Sequence, residues 1–408
     1  MALQIDTSAI QSAQRRLDIL GNNIANVNTV GFKVSSFEDM IGTALAVSGD
    51  VKKAGVMQNF SQGNVTATTN ALDIAISGNG LFRMENNGGV VYTRNGQFSV
   101  NKDGYIVNST GDKLTGYGTD VDGNVLKTNL LPLRIDPNEQ YAPNATTQVS
   151  LNLNLDSRKS VITTPAFSMT DPASYNDTTT TTVYDSAGGG IALQTFYVKT
   201  SSNTWDIYPA VTKDANAVDV TPQKITLTFD AAGKLLSTAT DGGTPTAVND
   251  GTGVIDFSIN GQDMQMNLPK VAQYAGNFSA VTVSQDGIPV GNMTGYKVSS
   301  EGQIIAQFSN GMHKTLGQVV LANFNSMNGL ASNENNQWLP TVASGFEQIL
   351  IPGSGGIGTL EGFSTEDSNV DLSSEMIKLI SAQRAFQSAA EVVKRQDEIM
   401  QNIVNIGR

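Results

Sequence analysis

The residues with the most obvious chemical potential lie between Pro352 and Gly358, where Gly353, Gly355 and Gly358 have the spacing of a dinucleotide-binding turn. Such a turn holds a pyrophosphate only when its third glycine opens a helix, because the helix N-terminus supplies free N–H groups and partial positive charge. Here Thr-Leu-Glu-Gly-Phe-Ser follows, with another glycine and no helical period, so the nucleotide reading is rejected. Asp120-Val-Asp-Gly-Asn124 has the opening of a calcium loop without the later ligands or closing glutamate, and reads as a β-turn. One histidine, His313, and no cysteine exclude thiolate and multi-histidine metal sites, a cysteine nucleophile and a disulfide framework. No Gly-x-Ser-x-Gly elbow accompanies the serines. Carboxylates could pair across a glycosidase cleft, but nothing selects a pair, and such a cleft would want aromatics where the chain has only two tryptophans, Trp205 and Trp338. No catalytic, cofactor or metal residue is assigned, and the chain reads as a non-enzyme.

What remains is architecture. At about 100 to 200 residues per domain, 408 residues call for two to four units. Lys+Arg 25 against Asp+Glu 37 leaves a net charge of −12, which repels phosphate backbones and anionic membranes. No apolar run approaches the ~18 residues of a membrane helix. The N-terminus lacks the basic and apolar regions of a cleaved secretory signal, so export is expected to use another route. Forty glycines with only 15% charged residues suit turn-rich β structure.

The two ends differ from the middle. Steps of seven from Leu3 reach Ile10, Leu17 and Ile24, with Asp6, Ala13, Leu20 and Val27 in the companion position. Steps of seven from Leu372 reach Leu379, Phe386, Val393 and Met400, accompanied by Glu375, Ala382, Ala389, Gln396 and Ile403. These are heptads with one and two flaws. Asp371 can cap the second, and neither proline nor glycine interrupts it from Leu372 to Ile406, so a helix roughly 50 Å long is expected. Its narrow apolar seam needs a partner helix, either the other terminus or a neighbouring molecule. In the free subunit both ends are expected to bury no seam and to become helical on assembly.

Between the ends the pattern is β. Asn-Gly occurs six times and Asp-Gly five times, dipeptides that favour tight hairpins. Asn95-Gly96 separates two strand-like runs within Val90 to Val100, and Asp103-Gly104 leads into Tyr-Ile-Val, so a meander is expected. Pro132, Pro137 and Pro143 precede an alternating run from Gln148 to Leu155. The reading is a mainly β multidomain chain with α-helical coiled-coil termini, its outer β domain inserted into the inner one. The segments are 1–30 and 365–408 for the helical ends, 31–69 and 331–364 for extended connections, 70–145 and 283–330 for the inner β domain, and 146–282 for the insert.

The segment from Leu20 through Gly21, Asn22, Asn23, Ile24, Ala25 and Asn26 to Gly31, Phe32 and Lys33 sets asparagines directly after a heptad helix, with Gly21 and Gly31 expected to supply turns. This run closely resembles the signature of the flagellar rod and hook axial proteins. Asn70 to Phe82 and Tyr92 to Phe98 are similar to the family's first β segment, and Ser368 to Gln387 to its C-terminal signature. Length, the insert and Leu316 to Phe324 favour the hook members over a distal rod subunit, which stays as the alternative. The resemblance implies a tubular homopolymer acting as a universal joint between rod and filament and transmitting motor torque. It also implies rod, hook cap and hook–filament junction proteins as partners, no cofactor, and delivery by the flagellar type III export apparatus to the flagellum outside the cell. The self-assembly residues are then Leu3, Ile10, Leu17, Leu20 and Ile24 with Leu372, Leu379, Phe386, Val393, Met400 and Ile403.

Overall fold

A computed structural model describes residues 2–38, 55–86, 88–211, 223–241, 243–248, 253–259 and 261–406. Among them are two α-helices, α1 (Ala2–Ala25) and α2 (Leu372–Ile406), and otherwise strands joined by turns and short 3-10 segments. The chain divides into two compact units, one formed by Met1–Asn138, Met293–Gln307 and His313–Arg408, the other by Glu139–Asn292 and Phe308–Met312.

The second unit is built on two sheets. Six strands follow one another in chain order from Asp177–Tyr184 to Thr246–Ala247. Its threonine run forms the edge strand, with alternate residues exposed. The other sheet has four strands, in the order Gly253–Ile259, Gln262–Tyr274, Gln148–Asp156 and Ser279–Gln285. Its central pair is parallel, an exception to the expected meander. Alternation along Gln148–Asp156 sends Val149, Leu151, Leu153 and Leu155 inward, because successive side chains of a strand point to opposite faces. They meet Leu193, Tyr197, Trp205, Ile207 and Met266 in one apolar core.

In the first unit a separate core gathers Leu72, Ile74, Ile76, Phe82, Phe98, Ile106, Leu114 and Leu321. Several glycine dipeptides form the tight turns expected of them. Gly104 (φ 84°) turns Ser99–Val100 into Ile106–Val107, and Gly123 (φ 87°) turns Lys113–Thr119 into Val125–Pro132. Asn95-Gly96 does not. Gly89–Thr93 pairs with Leu81–Asn86 and Gln337–Leu339, whereas Ser99–Val100 pairs with Ile106–Val107. Gly96 is needed for a close backbone approach: its carbonyl accepts the Ile74 N–H at 2.9 Å, and a Cβ would lie 1.7 Å from the Ile74 oxygen.

The segments expected to be extended connections carry paired strands. Ser35–Glu38 pairs with Gly55–Gln58, Val65–Ala67 with Ser364–Glu366, and Ile74–Ser77 with Thr359–Gly362. In the last two pairs incoming and outgoing arms of the chain lie side by side and satisfy each other's backbone groups. The glycine turn at Pro352–Gly358 closes on itself, Gly353 N–H to Gly358 O at 2.9 Å, and leads into the strand Thr359–Gly362 instead of opening a helix.

Candidate functional site

The helices supply the surface on which assembly was expected to act. Asp371 caps α2, its Oδ1 accepting from the Ser373 and Ser374 N–H groups at 3.0 and 3.4 Å. α1 and α2 pack against each other within one chain, which corrects the expectation that the subunit alone buries no helical seam. In α1 Ile10, Ala13, Leu17 and Ile24 are half-buried and Leu20 is buried, while Gln11, Gln14, Arg15, Arg16 and Asp18 face solvent. In α2 the covered positions include Glu375, Leu379, Ala382, Phe386, Ala389 and Val393, a repeat of alternating four and three, with Ser374 half-buried beside them. Leu372 departs from expectation and is 46% exposed. α1 ends two residues after Asn23, which already meets Glu375, so Leu372 lies past the end of the seam. The side chains of Leu3, Met400 and Ile403 lie outside the described residues.

α2 also carries apolar side chains away from this seam: Met376, Ile377, Ile380, Val392 and Ile399 are all exposed, Ile377 at 70%. Large exposed apolar side chains grouped along one helix mark an interaction surface.

The root of the helix pair explains the asparagine signature. α1 runs through Gly21, Asn22 and Asn23 to Ala25, so Gly21 makes no turn; it is exposed, with nothing within 4 Å of where its Cβ would stand. Asn23 is fully buried and works in three directions. Its amide nitrogen donates to Ser35 O at 2.7 Å and to Glu375 Oε2 at 3.0 Å, while its oxygen accepts the Ser35 N–H at 3.0 Å. The seam's glutamate is thereby satisfied, with Lys378 Nζ 2.7 Å from its other oxygen. Asn26 closes the end of α1 by donating to Asn22 O at 2.9 Å. Gly31 does supply a turn, at φ 70°, and a Cβ there would stand 2.6 Å from Asn95 N. Phe32 and Lys33 are buried.

Sequence reasoning missed Arg94, Glu366 and Asn369. Glu366 Oε1 lies 2.6 Å from Lys33 Nζ, and its Oε2 lies 2.5 Å from Arg94 Nε. Burial pulls the ammonium of Lys33 and the guanidinium of Arg94 below their ordinary pKa values, and the adjoining Glu366 carboxylate opposes that shift in both. Asn369 accepts the Val34 N–H at 2.7 Å and donates to Asn59 O at 2.8 Å. Arg94 and Asn369 fall inside stretches that carry the family resemblance, whereas no local pattern marks Glu366.

Both tryptophans are buried, Trp205 at 0% and Trp338 at 2% exposure, so neither offers a face to a carbohydrate. Among the described residues no group of three or more His, Cys, Asp or Glu side chains could hold a metal, and no helix is long and apolar enough to cross a membrane.

Four family descriptions match along the chain: "Flagella basal body rod protein" over residues 3–33, "Flagellar hook protein FlgE/F/G D1 domain" over 75–156, "Flagellar basal body protein FlaE D2 domain" over 154–288, and "Flagellar basal body rod FlgEFG protein C-terminal" over 361–406. The flagellar hook protein FlgE of Salmonella typhimurium is 38% identical over 410 residues, covering all of both chains. That of Escherichia coli K12 is 37% identical with the same coverage, and that of Borreliella burgdorferi is 29% identical over 99% of each. Among solved structures, that of Helicobacter pylori flagellar hook protein FlgE2 covers 72% of this chain at 16% identity and a TM-score of 0.49. End-to-end similarity to hook proteins, including the stretch between the two terminal matches, sets aside the distal rod alternative. The chain belongs to the flagellar hook protein family.

Proposed function

We propose that this hook subunit builds a tubular helical homopolymer through α1 and α2, with the β units outside, and that the tube transmits torque from rod to filament as a universal joint. The observation that carries the reading is the second apolar face of α2. Leu379, Ala382 and Phe386 are occupied by the chain's own packing, while Ile377 and Ile380 are left for another molecule. Burying a large aliphatic side chain contributes roughly 1.5 to 3 kcal/mol, a contribution that recurs at every subunit of a polymer and offsets part of the cost of association. The partner is a second copy, and at the ends of the tube the rod, hook cap and hook–filament junction proteins. Delivery runs through the flagellar type III export apparatus to the flagellum outside the cell. The helix pair acts as a coiled coil, and Glu139–Asn292 serves as an outer domain inserted in the inner one, with low charge density suited to contacts that slide as the joint bends.

The test is salt-induced association followed by electron microscopy. Wild-type subunits are expected to form tubes. The double substitution Ile377→Asp and Ile380→Asp, on side chains already exposed in the subunit, is expected to leave thermal unfolding unchanged and prevent tubes. Tubes of normal form from that variant would show that this face is not the contact.

A further inference from the structure

Lys33 ends the signature that begins inside α1, yet its side chain is fully buried and reaches no surface on which a neighbour could dock. Its Nζ donates to Glu366 Oε1 at 2.6 Å and to Ser61 O at 2.7 Å. Glu366 Oε1 also accepts the Gly63 N–H at 2.8 Å, and its Oε2 accepts Arg94 Nε at 2.5 Å. Arg94 turns its two remaining nitrogens on three carbonyls, Gly80 at 2.6 Å, Ile76 at 2.9 Å and Gly78 at 2.6 Å. The Glu366 carbonyl accepts the Gly31 N–H at 2.7 Å. One residue thus fastens the segment leaving α1, the strand segment after residue 61 and the β core, six positions before α2 begins.

Stability alone is a poor reason for this arrangement. Two cations and one carboxylate taken out of water repay their desolvation only when geometry is good, and well-packed apolar side chains of like volume often do as well or better. What charge and a planar guanidinium add is direction, since a carboxylate that gives one oxygen to each cation and a forked donor set spread over backbone carbonyls accept few geometries. We infer that Glu366 is a positioning residue for assembly: it fixes the direction in which the α1–α2 pair leaves the β core, and through that direction the form of the polymer. The inference rests on assembly through α1 and α2.

The test uses the full chain in four versions: wild type, Glu366→Gln, the double variant Lys33→Met with Glu366→Gln, and Leu321→Ala. Glu366→Gln strands two buried cations, so its subunit is expected to lose thermal stability. The double variant keeps the formal charge of the trio at +1 and leaves one unpaired buried cation in place of two, so it is expected to recover part of that stability while removing the fastening. Leu321 is fully buried in the core of the same unit, and its truncation lowers stability without touching the trio. Positioning predicts that both Glu366 variants raise the critical concentration for tubes about tenfold or change tube curvature, while Leu321→Ala assembles as wild type does. The inference is overturned if the double variant forms wild-type tubes at the wild-type concentration, or if Leu321→Ala reproduces its defect. Failure of the assembly reading is seen separately, as an absence of tubes from wild type.

Discussion

In the unit built on Glu139–Asn292, two sheets share a core of Leu153, Trp205, Ile207 and Met266, and the buried indole at its centre is answered within it. Trp205 Nε1 donates to Gln273 Oε1 at 2.7 Å, and Gln273 Nε2 donates to Ser202 O at 3.0 Å. The unit holding both termini has an equally apolar β core around Phe82, Ile106 and Leu321. It differs in two ways: the step from core to helices is fastened by buried charges, and α2 leaves Ile377, Ile380 and Ile399 in water. A unit whose exposed large apolar side chains sit on separate strands, as Leu236, Val254 and Val281 do, offers no row of them along one element. One with a row of them outside has surface to give to a partner. The contrast separates what makes this subunit fold from what makes it assemble.

The sharpest way to break that contrast is to charge the inner seam. Leu379→Asp together with Phe386→Asp puts two carboxylates where α2 meets α1 and should abolish tube formation completely, with thermal unfolding of the β cores unchanged. Electron microscopy alongside calorimetry checks both halves; normal tubes would remove the helices from the account.

Trp205→Ala works on the other side. It empties the centre of one core and leaves Gln273 Oε1 without the indole donor, at a cost of about 3 to 5 kcal/mol read by denaturant unfolding. Tubes are still expected below the shifted midpoint.

Gly31→Ala acts at the root of the helices. A Cβ at φ 70°, facing the Asn95 nitrogen at 2.6 Å, should cost about 1 to 3 kcal/mol and speed hydrogen exchange at the Gly31 and Ser35 amides, leaving the sheet of Leu193 and Trp205 protected as before.

The smallest effect is one of pH. The hydrogen bond from Arg158, assisted by that residue's backbone N–H, holds the Asp156 carboxyl down at about 2. A carboxylate lowered in the folded state stabilises fully above its ordinary range and loses that contribution as pH falls through its folded value. Thermal midpoints of wild type and Asp156→Asn should therefore differ at neutral pH and converge as pH approaches about 2, without change in assembly at neutral pH. A gap that widened on acidification would contradict the sign.

α2 was legible to the residue because an aspartate cap and an uninterrupted heptad are local signals. Leu379, Phe386 and Val393 followed from the same period, while Leu372 did not, because where the partner helix stops is tertiary information. Alternation gave the strand Gln148–Asp156, but not that it pairs in parallel with Gln262–Tyr274, since pairing partners leave no mark on a single strand. Asn95-Gly96 misled because a glycine dipeptide looks the same whether it turns a hairpin or admits a passing backbone. Glu366 was silent for a related reason: its partners stand 333 and 272 residues away in the chain. At Pro352–Gly358 the residues after the last glycine carry no helical period, and the turn leads into the strand Thr359–Gly362.

The central claim, that α2 is half covered within the subunit and half covered by neighbours, is most directly tested by hydrogen exchange on subunit and tube at equal pH and temperature. The account predicts that protection of the α2 amides from Met376 to Ile399 rises on assembly, while amides between Leu193 and Val198 in the six-stranded sheet keep the protection they had. Equal protection of α2 in subunit and tube would contradict it.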